Sequence, residues 1–362
     1  MNITMFIGSL TGGGAERVLC NLSNFLVSQG HNVTILTVSN ATDTYSLDSR
    51  VRRESLETNK RLKTRALRVI IKQVRLFSFV CKHKTDAYLV MLPRAIRSIM
   101  LFRRFIKVPI IISERNSPTS YDKNTQRYLI KATKKADGLV CQTEEAAKWY
   151  EGIAKKIVVI PNAINTAFIR KSYEGNKEKC IVAAGRLSGQ KNFKLLIDAF
   201  SLISDEFSDY SLKIYGKGPL EEELREYAKN KNLASRVEFM GYVDDMPEQL
   251  QKATAFVLSS DFEGMPNALM EAMALGLPCV STDCPCGGPS YLINSGENGI
   301  LVPVGDAEKM ADAIRKILAD PELSNTLSNN AREIGKRLAP EKIYKEWETQ
   351  ILSVVEESKR PH

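Results

Sequence analysis

Short runs of apolar and β-branched residues recur along the whole chain, and stretches with helical spacing separate them. In the first half the runs are Ile3–Ile7, Val33–Val38, Ala87–Met91, Pro109–Ser113, Gly138–Cys141 and Val158–Ile160. In the second half they are Ile181–Ala184, Ser211–Tyr215, Val237–Met240, Ala255–Leu258, Cys279–Ser281 and Gly299–Val302. A tight turn cannot join two parallel strands, so this alternation predicts parallel sheets with helices on both faces. At 362 residues the chain exceeds one ordinary core. Pro161-Asn162 opens a polar stretch that runs to Lys179, which predicts one Rossmann-like α/β domain over residues 1–165 and another over 175–340. A last helical pattern over 341–358, carrying Trp347, is expected to complete the first domain. Doubly wound sheets bind ligands beyond the carboxyl ends of their strands, so the chemistry is expected in those loops.

Charge divides the chain unevenly. Residues 1–172 hold 29 Lys and Arg against 12 Asp and Glu, a net +17, whereas residues 173–362 hold 22 against 30, a net −8. Solubility does not require such a split. It points to a polyanion or an anionic membrane as a partner of the first half. No apolar run approaches the roughly 18 residues of a spanning helix. MNITMFIGSL lacks the basic start of a signal peptide and leads straight into a strand. Seven cysteines without a paired framework fit a reducing cytoplasm, and Cys284-Pro-Cys286 stands without the second pair that a zinc site needs.

Three loops carry the candidate chemistry. GSLTGGGAER (8–17) follows the first strand, and its glycines precede a helix, so unhindered amides and a positive helix end converge on one spot. Arg17 stands where a dinucleotide fingerprint has its third glycine, and no acid ends the second strand, which argues against a dehydrogenase. AAGRLSGQKN (183–192) sets Arg186 and Lys191 on one strand-to-helix loop, where two cations can offset a diphosphate without a metal. No Asp-X-Asp pair occurs in the chain, and no metal or other cofactor is expected. In SDFEGMPNALMEAMALGLP (260–278), Pro266 is expected at the first helical position, with neighbouring amides free for an anion. The two oxygens of a carboxylate match a vicinal diol, so Glu271 suits a ribose and Glu263 a sugar ring.

EGMPNALME, with seven residues between its glutamates, resembles the signature of the retaining glycosyltransferases of family 4. GGGAER, GRLSGQKN, IYGKGPL (214–220) and DCPCGGP (283–289) follow in that family's order. The resemblance spans almost the whole chain. It implies the GT-B architecture, two Rossmann-like domains facing a cleft that holds a nucleotide-sugar. It further implies that Arg186 and Lys191 hold the diphosphate, Glu271 the ribose, and Glu263 the donor sugar. The turn formed by Gly264, Met265, Pro266, Asn267 and Ala268 would join Glu263, through the amides of Met265 to Ala268. Gly13 and Gly14 would close on the phosphates from the other domain. Glu263, Arg186 and Lys191 are thereby the catalytic candidates. Many members place a histidine after the fourth strand of the first domain; this chain has SERNSP (113–118), so Arg115 and Asn116 are the counterparts on the acceptor side.

KRLKTRALRVIIKQVRLFSFVCKHK (60–84) holds nine Lys or Arg and no acid. On a helix Arg61, Arg65, Arg68, Lys72, Arg75 and Lys82 align on one face, opposite Ala66, Leu67, Ile70, Val74, Phe77 and Cys81, which reads as a basic face over a core face. A second basic-apolar stretch, RSIMLFRRFIK (97–107), follows. Each basic residue near an anionic surface contributes about 1 kcal/mol, so the two stretches are expected to hold the protein on the inner face of the cell membrane, peripherally. Nucleic acid is not an expected partner, because no aromatics interleave with the basic stripe. The GG-A-E-R opening with a basic helix also resembles bacterial enzymes that extend oligosaccharides on a polyprenyl diphosphate. This implies a UDP-sugar donor and a lipid-linked glycan acceptor met by Arg65, Arg68, Lys72 and Arg75. A non-catalytic basic binding protein and a nucleotide-sugar epimerase are the rival readings. The intact Glu263, Glu271, Arg186 and Lys191 speak against the first, and the basic helix against the second.

Overall fold

A computed structural model describes residues 1–40, 45–57 and 64–360, except for the side chain of Arg65. The chain forms two units, Met1–Ala163 with Glu341–His362, and Ile164–Pro340. The first contains β1 (Asn2–Ile7), β2 (Asn32–Thr37), β3 (Arg52–Ser55), β4 (Ala87–Met91), β5 (Ile110–Ser113), β6 (Gly138–Cys141) and β7 (Ile157–Val159). These pair in parallel in the order β3-β2-β1-β4-β5-β6-β7. The second unit contains β8 (Cys180–Ala184), β9 (Ser211–Tyr215), β10 (Val237–Gly241), β11 (Ala255–Leu258), β12 (Cys279–Thr282) and β13 (Ile300–Val302). Their order is β10-β9-β8-β11-β12-β13, again parallel throughout. Both sheets therefore reverse direction of growth beside their first strand, between β1 and β4 and between β8 and β11. Loops leaving adjacent strand ends at such a reversal diverge and leave a crevice.

Helices of the first unit are α1 (Gly14–Ser28), α2 (Arg65–Lys82), α3 (Pro93–Met100), α4 (Lys123–Lys135) and α5 (Glu144–Trp149). The second unit has α6 (Phe193–Ile203), α7 (Glu221–Asn230), α8 (Met246–Lys252), α9 (Asn267–Ala274), α10 (Gly288–Leu292), α11 (Ala307–Ala319), α12 (Pro321–Ala331) and α13 (Ile334–Arg337). The final helix, α14 (Pro340–Lys359), belongs to the first unit from Glu341 onward. It buries Trp347 completely and sets Val354 against Gly138. Its Glu348 pairs with His31 at 2.9 Å. A Cβ at residue 138 would stand 3.3 Å from Val354, so glycine there gives the helix its close seat on β6.

The twelve apolar runs all became strands, and one strand had no such run. β3 is Arg-Arg-Glu-Ser, pairs with β2 alone and forms the sheet edge. Charged edge strands discourage pairing with another chain, and with one neighbour they need no apolar alternation. The basic segment requires a larger correction. Its helix spans Arg65–Lys82, begun by Thr64, whose hydroxyl accepts from the Leu67 amide at 3.2 Å. Lys60 to Lys63, with Arg61, lie outside the described residues. The supposed core face is exposed: Leu67, Ile70, Val74 and Phe77 stand open, and Leu76 is the fully buried residue of the helix. Part of the basic face is instead engaged by the unit itself. Lys72 pairs with Glu57 at 2.7 Å, and Arg75 donates to the backbone carbonyls of Ser55 and Glu57.

Candidate active site

At the reversal in the second sheet, the loops after β8 and β11 leave neighbouring strands. Gly185 follows β8, and an added Cβ would come 3.0 Å from Cε of Lys191, so the bare backbone lets the lysine stem lie across it. Gly189–Lys191 form one tight helical turn, and Asn192 follows in the left-handed region at φ 42°. That conformation lets the Asn192 side chain accept from the Leu195 amide at 3.3 Å, which starts α6, while its amide donates to Asp261 at 2.7 Å. The two loops are thus fastened together. Ser259 Oγ donates to the Lys191 carbonyl at 2.8 Å, and the Asp261 amide donates to the Gln190 carbonyl at 2.9 Å.

This fastening brings Lys191 and Glu263 into contact. Nζ of Lys191 lies 2.5 Å from Oε1 of Glu263, with the side chains 17% and 8% exposed. The same oxygen accepts from Ser260 Oγ at 2.6 Å, and Gln190 donates to the Phe262 carbonyl at 2.9 Å and reaches Oε2 at 3.4 Å. A nearly buried carboxylate is thereby satisfied by a cation and a hydroxyl, as burial of charge demands. Glu263, the carboxylate expected to hold the donor sugar, is paired with an ammonium group. Arg186, on the same loop, is exposed and has no side-chain partner among the described residues. The loop therefore offers one cation tied to a carboxylate and one untied.

Two further loops close around this pair. Gly216 at φ 131° and Gly218 lie against the backbone of Gly185 and Leu187, where a Cβ would come within 2.0 and 2.2 Å of carbonyl oxygens. Likewise a Cβ on Gly288 would meet the Gly264 carbonyl at 2.0 Å. The Glu263 amide donates to the Pro285 carbonyl at 2.7 Å, and the Cys286 amide returns a bond to the Glu263 carbonyl at 2.9 Å. Cys284 is buried beside this carboxylate, and burial pushes its thiol up to about 12. Gly216 and Gly218 of IYGKGPL and Gly288 of DCPCGGP are thus needed for close backbone approach. Pro266 is the N-cap of α9, one place before the first-position role expected of it, and Asn267 takes that place. Met265 is buried, Ala268 half-buried, and Glu271, in the second turn of α9, is 8% exposed. Gln190 and Ser260 were not singled out from sequence; their positions, one before Lys191 and three before Glu263, were the available signal.

In the first unit the glycine turn has an occupant of its own. Gly12 sits at φ 86°, Gly13 is the extended N-cap of α1, and Gly14 begins the helix. The Glu16 carboxylate folds back over the turn, so that a Cβ at Gly13 would come within 2.1 Å of it. Burial pushes the Glu16 carboxyl above its ordinary range, opposed by a bond from its own amide. Its place is where a phosphate was expected to meet Gly13 and Gly14.

Beyond β5 in this unit, Glu114 is buried and accepts from Tyr150 at 2.7 Å, Tyr121 at 2.9 Å, and the amides of Arg115 and Asn116 at 3.0 and 3.2 Å. Burial raises its carboxyl pKa, against the lowering by these donors. Arg115 donates to Asn162, which Gln142 also holds at 2.9 Å. Burial lowers its guanidinium to about 10, against the pull of Glu114, and Nε and Nη1 find no hydrogen-bond acceptor among the described residues. Arg115 thus keeps two buried donors open at a strand's carboxyl end.

Residues 12–168 match the family described as Glycosyltransferase Family 4, and residues 165–334 match that described as Glycosyl transferases group 1. Between them these matches take in most of the chain, and it belongs to the glycosyltransferases of the GT-B fold class. It is 28% identical over 358 residues to an uncharacterized glycosyltransferase of Haemophilus influenzae, covering 95% of this chain and 97% of that one. It is 27% identical over 362 residues to the Campylobacter jejuni enzyme named GalNAc-α-(1→4)-GalNAc-α-(1→3)-diNAcBac-PP-undecaprenol α-1,4-N-acetyl-D-galactosaminyltransferase, covering 98% and 99%. Among solved structures, Anabaena HepE in complex with UDP and glucose superposes with a TM-score of 0.83 over 98% of this chain and all of that one, at 17% identity. That likeness concerns the fold.

Proposed function

We propose that the enzyme is a retaining glycosyltransferase that moves a hexose or N-acetylhexosamine from a UDP-sugar to a growing glycan on a polyprenyl diphosphate. The observation that carries the reading is the second unit's loop cluster, an untied Arg186 beside a Lys191 already aligned by Glu263. When the sugar's anomeric carbon leaves, negative charge develops on the β-phosphate oxygen. Arg186 and Lys191 stabilise that charge, so no metal ion or other cofactor is needed. The C1–O bond to the phosphate breaks, and the bond to the acceptor oxygen forms on the same face of the sugar. The acceptor's hydroxyl proton passes to the departing phosphate oxygen. Glu271 holds the ribose diol, and Glu263 with the Gly264–Ala268 turn holds the sugar, sharing its carboxylate between the lysine and a ring hydroxyl.

The acceptor reading is supported by the Campylobacter relative, whose name specifies an undecaprenol-linked glycan, and by the basic first half. Arg65, Arg68, Arg115 and Asn116 belong to the acceptor side. Lys72 and Arg75 would serve it only by loosening their hold on residues 55–57. Anionic lipid at the cytoplasmic face of a bacterial membrane would meet the basic stretches, whereas nucleic acid is not a partner. The test is turnover of a UDP-hexose and UDP-N-acetylhexosamine panel with a polyprenyl-diphosphate-linked glycan, with the anomeric configuration of the product read by NMR. Inversion at the anomeric carbon, or transfer only from another nucleotide's sugar, would overturn the corresponding part.

A further inference from the structure

Two serines follow β11, and their hydroxyls have different tasks. Ser259 Oγ donates to the Lys191 carbonyl at 2.8 Å and so fixes the backbone of the lysine. Ser260 Oγ donates to Oε1 of Glu263 at 2.6 Å and so fixes the carboxylate. Ser260 is fully buried, and its own carbonyl accepts from Thr282 Oγ1 at 2.6 Å, which anchors it to the end of β12. The two oxygens of Glu263 are unequally served. Oε1 accepts from both Lys191 and Ser260. Oε2 meets only the Gln190 amide among the described residues, at 3.4 Å, and that amide already donates to the Phe262 carbonyl at 2.9 Å. Oε2 is therefore the oxygen with acceptor capacity to offer. Asp261, the other carboxylate of this loop, is bonded to Asn192.

The two donors on Oε1 differ in what keeps them there. Lys191 comes from another loop on a flexible four-carbon stem, and its charge is attracted by any phosphate that enters. Charge developing on a diphosphate draws the ammonium away from the carboxylate. A nearly buried carboxylate that loses its cation and has no other donor takes up a proton. It would then present a hydroxyl where a sugar hydroxyl needs an acceptor. Ser260, three residues from Glu263 on the same loop, carries no charge for a phosphate to attract, and its bond stays. The other ionisable group facing Glu263 is Cys284, from the loop after β12; burial pushes its thiol up to about 12, so it is uncharged at neutral pH.

We propose that Ser260 is a positioning residue for the transfer: its hydroxyl holds Oε1 of Glu263, leaves Oε2 for a hydroxyl of the donor sugar, and keeps the carboxylate ionised as Lys191 turns to the leaving diphosphate. This rests on the reading of the second unit as the UDP-sugar site and deepens it. Ser260 itself touches neither the sugar nor the phosphates; it acts through Glu263. Its effect is therefore greatest once the donor is bound, when the lysine is shared with the diphosphate.

The test compares Ser260→Ala, Ser260→Thr and Thr282→Val in the full chain. The last removes the anchor of Ser260 and leaves its bond to Glu263. Turnover is followed with the UDP-hexose or UDP-N-acetylhexosamine that the wild type uses, as a function of pH, beside UDP affinity by calorimetry and the thermal midpoint. Ser260→Ala should lower kcat roughly 10- to 100-fold, the loss of one hydrogen bond to a charged group. Its UDP affinity should be unchanged, because UDP brings no sugar to Glu263. The acid limb of kcat, which reports the donor-bound enzyme, should move up by about one pH unit, since a carboxylate that has lost a donor protonates more readily. Ser260→Thr keeps the hydroxyl and should return the acid limb to its wild-type place, whatever the added methyl does to stability. Thr282→Val should leave the acid limb where it is. An unmoved acid limb in Ser260→Ala, with kcat and midpoint falling together as in Thr282→Val, would make Ser260 a loop anchor and overturn the proposal while the donor reading stands. Wild-type kcat and pH profile in Ser260→Ala would overturn it as well. A wild type that neither binds UDP nor turns over a UDP-sugar would overturn the donor reading and this proposal with it.

Discussion

In both sheets a loop leaves the first strand at the same topological place, beside the reversal of strand order, yet the two loops are answered differently. In the second unit a lysine reaches into the crevice and is met by Glu263, with Ser260 and Gln190 locking the carboxylate. In the first unit the glycine turn brings only its amides, and Glu16 folds back over them. Both turns hold a carboxylate from their own chain. The second keeps a cation to spare in Arg186, while the first keeps its buried donors further along the sheet, on Arg115. A site that binds a diphosphate by pairing should differ in stability and in rate when its tied and untied cations are removed separately.

Removing the tied cation should have the largest effect. Lys191→Ala leaves the buried Glu263 carboxylate without its ion, which costs about 3 kcal/mol of stability. It should also lower kcat/KM roughly 1,000-fold, since both transition-state charge and alignment are lost. Thermal unfolding and steady-state kinetics on the same preparation check the two expectations. Arg186→Ala should lower kcat about 100-fold and leave the thermal midpoint within about 1 °C of wild type, because the side chain is exposed and unpaired. A comparable fall in midpoint for both variants would break the distinction between tied and untied cations.

Glu271→Ala should weaken UDP about tenfold by calorimetry, the loss of charged hydrogen bonding to a diol, with little change in the affinity for 2′-deoxy-UDP, which lacks that diol. Equal UDP affinity before and after the change would remove Glu271 from the ribose. A chelator should leave the rate of the wild type as it was. Loss of turnover in EDTA, restored by Mg²⁺ or Mn²⁺, would show that a metal and not the cation pair carries the diphosphate.

The smallest effect is expected in the first unit. Burial raises the Glu16 carboxyl, so the folded state holds its proton to higher pH than the unfolded state does. This group therefore favours folding below its unfolded pKa and loses that contribution as pH rises through the raised value. Glu16→Gln should raise the thermal midpoint by about 1 °C at neutral pH, the gain shrinking as the buffer is taken into the acid range. A lower midpoint at neutral pH would mean that the folded carboxylate is better served at the helix end than its burial suggests.

Much of the fold was legible because it rests on local pattern. Each of the twelve apolar runs is a strand. The cations of GRLSGQKN and the paired glutamates were visible as residue types at a helix-loop boundary. β3 was not, because a strand at the edge needs one partner and no apolar face. The reading of α2 failed for a related reason. The helix formed, but periodicity states that a helix is two-sided and not which side is covered; the carbonyls of residues 55 and 57 claimed Arg75, and the apolar side stayed open.

Sequence by itself determined the class of architecture, the succession of strands and helices along the chain and the chemical inventory of the loops, since spacing, turn glycines and residue type are properties of short segments. The tertiary structure alone decided that Lys191 meets Glu263 across 72 positions, that Glu16 covers its own glycine turn, that Arg115 lies buried with two donors open, and that an apolar helix face remains exposed. Those outcomes depend on which strand ends become neighbours and on what burial then demands of each charge, and neither is written in any single stretch of the chain.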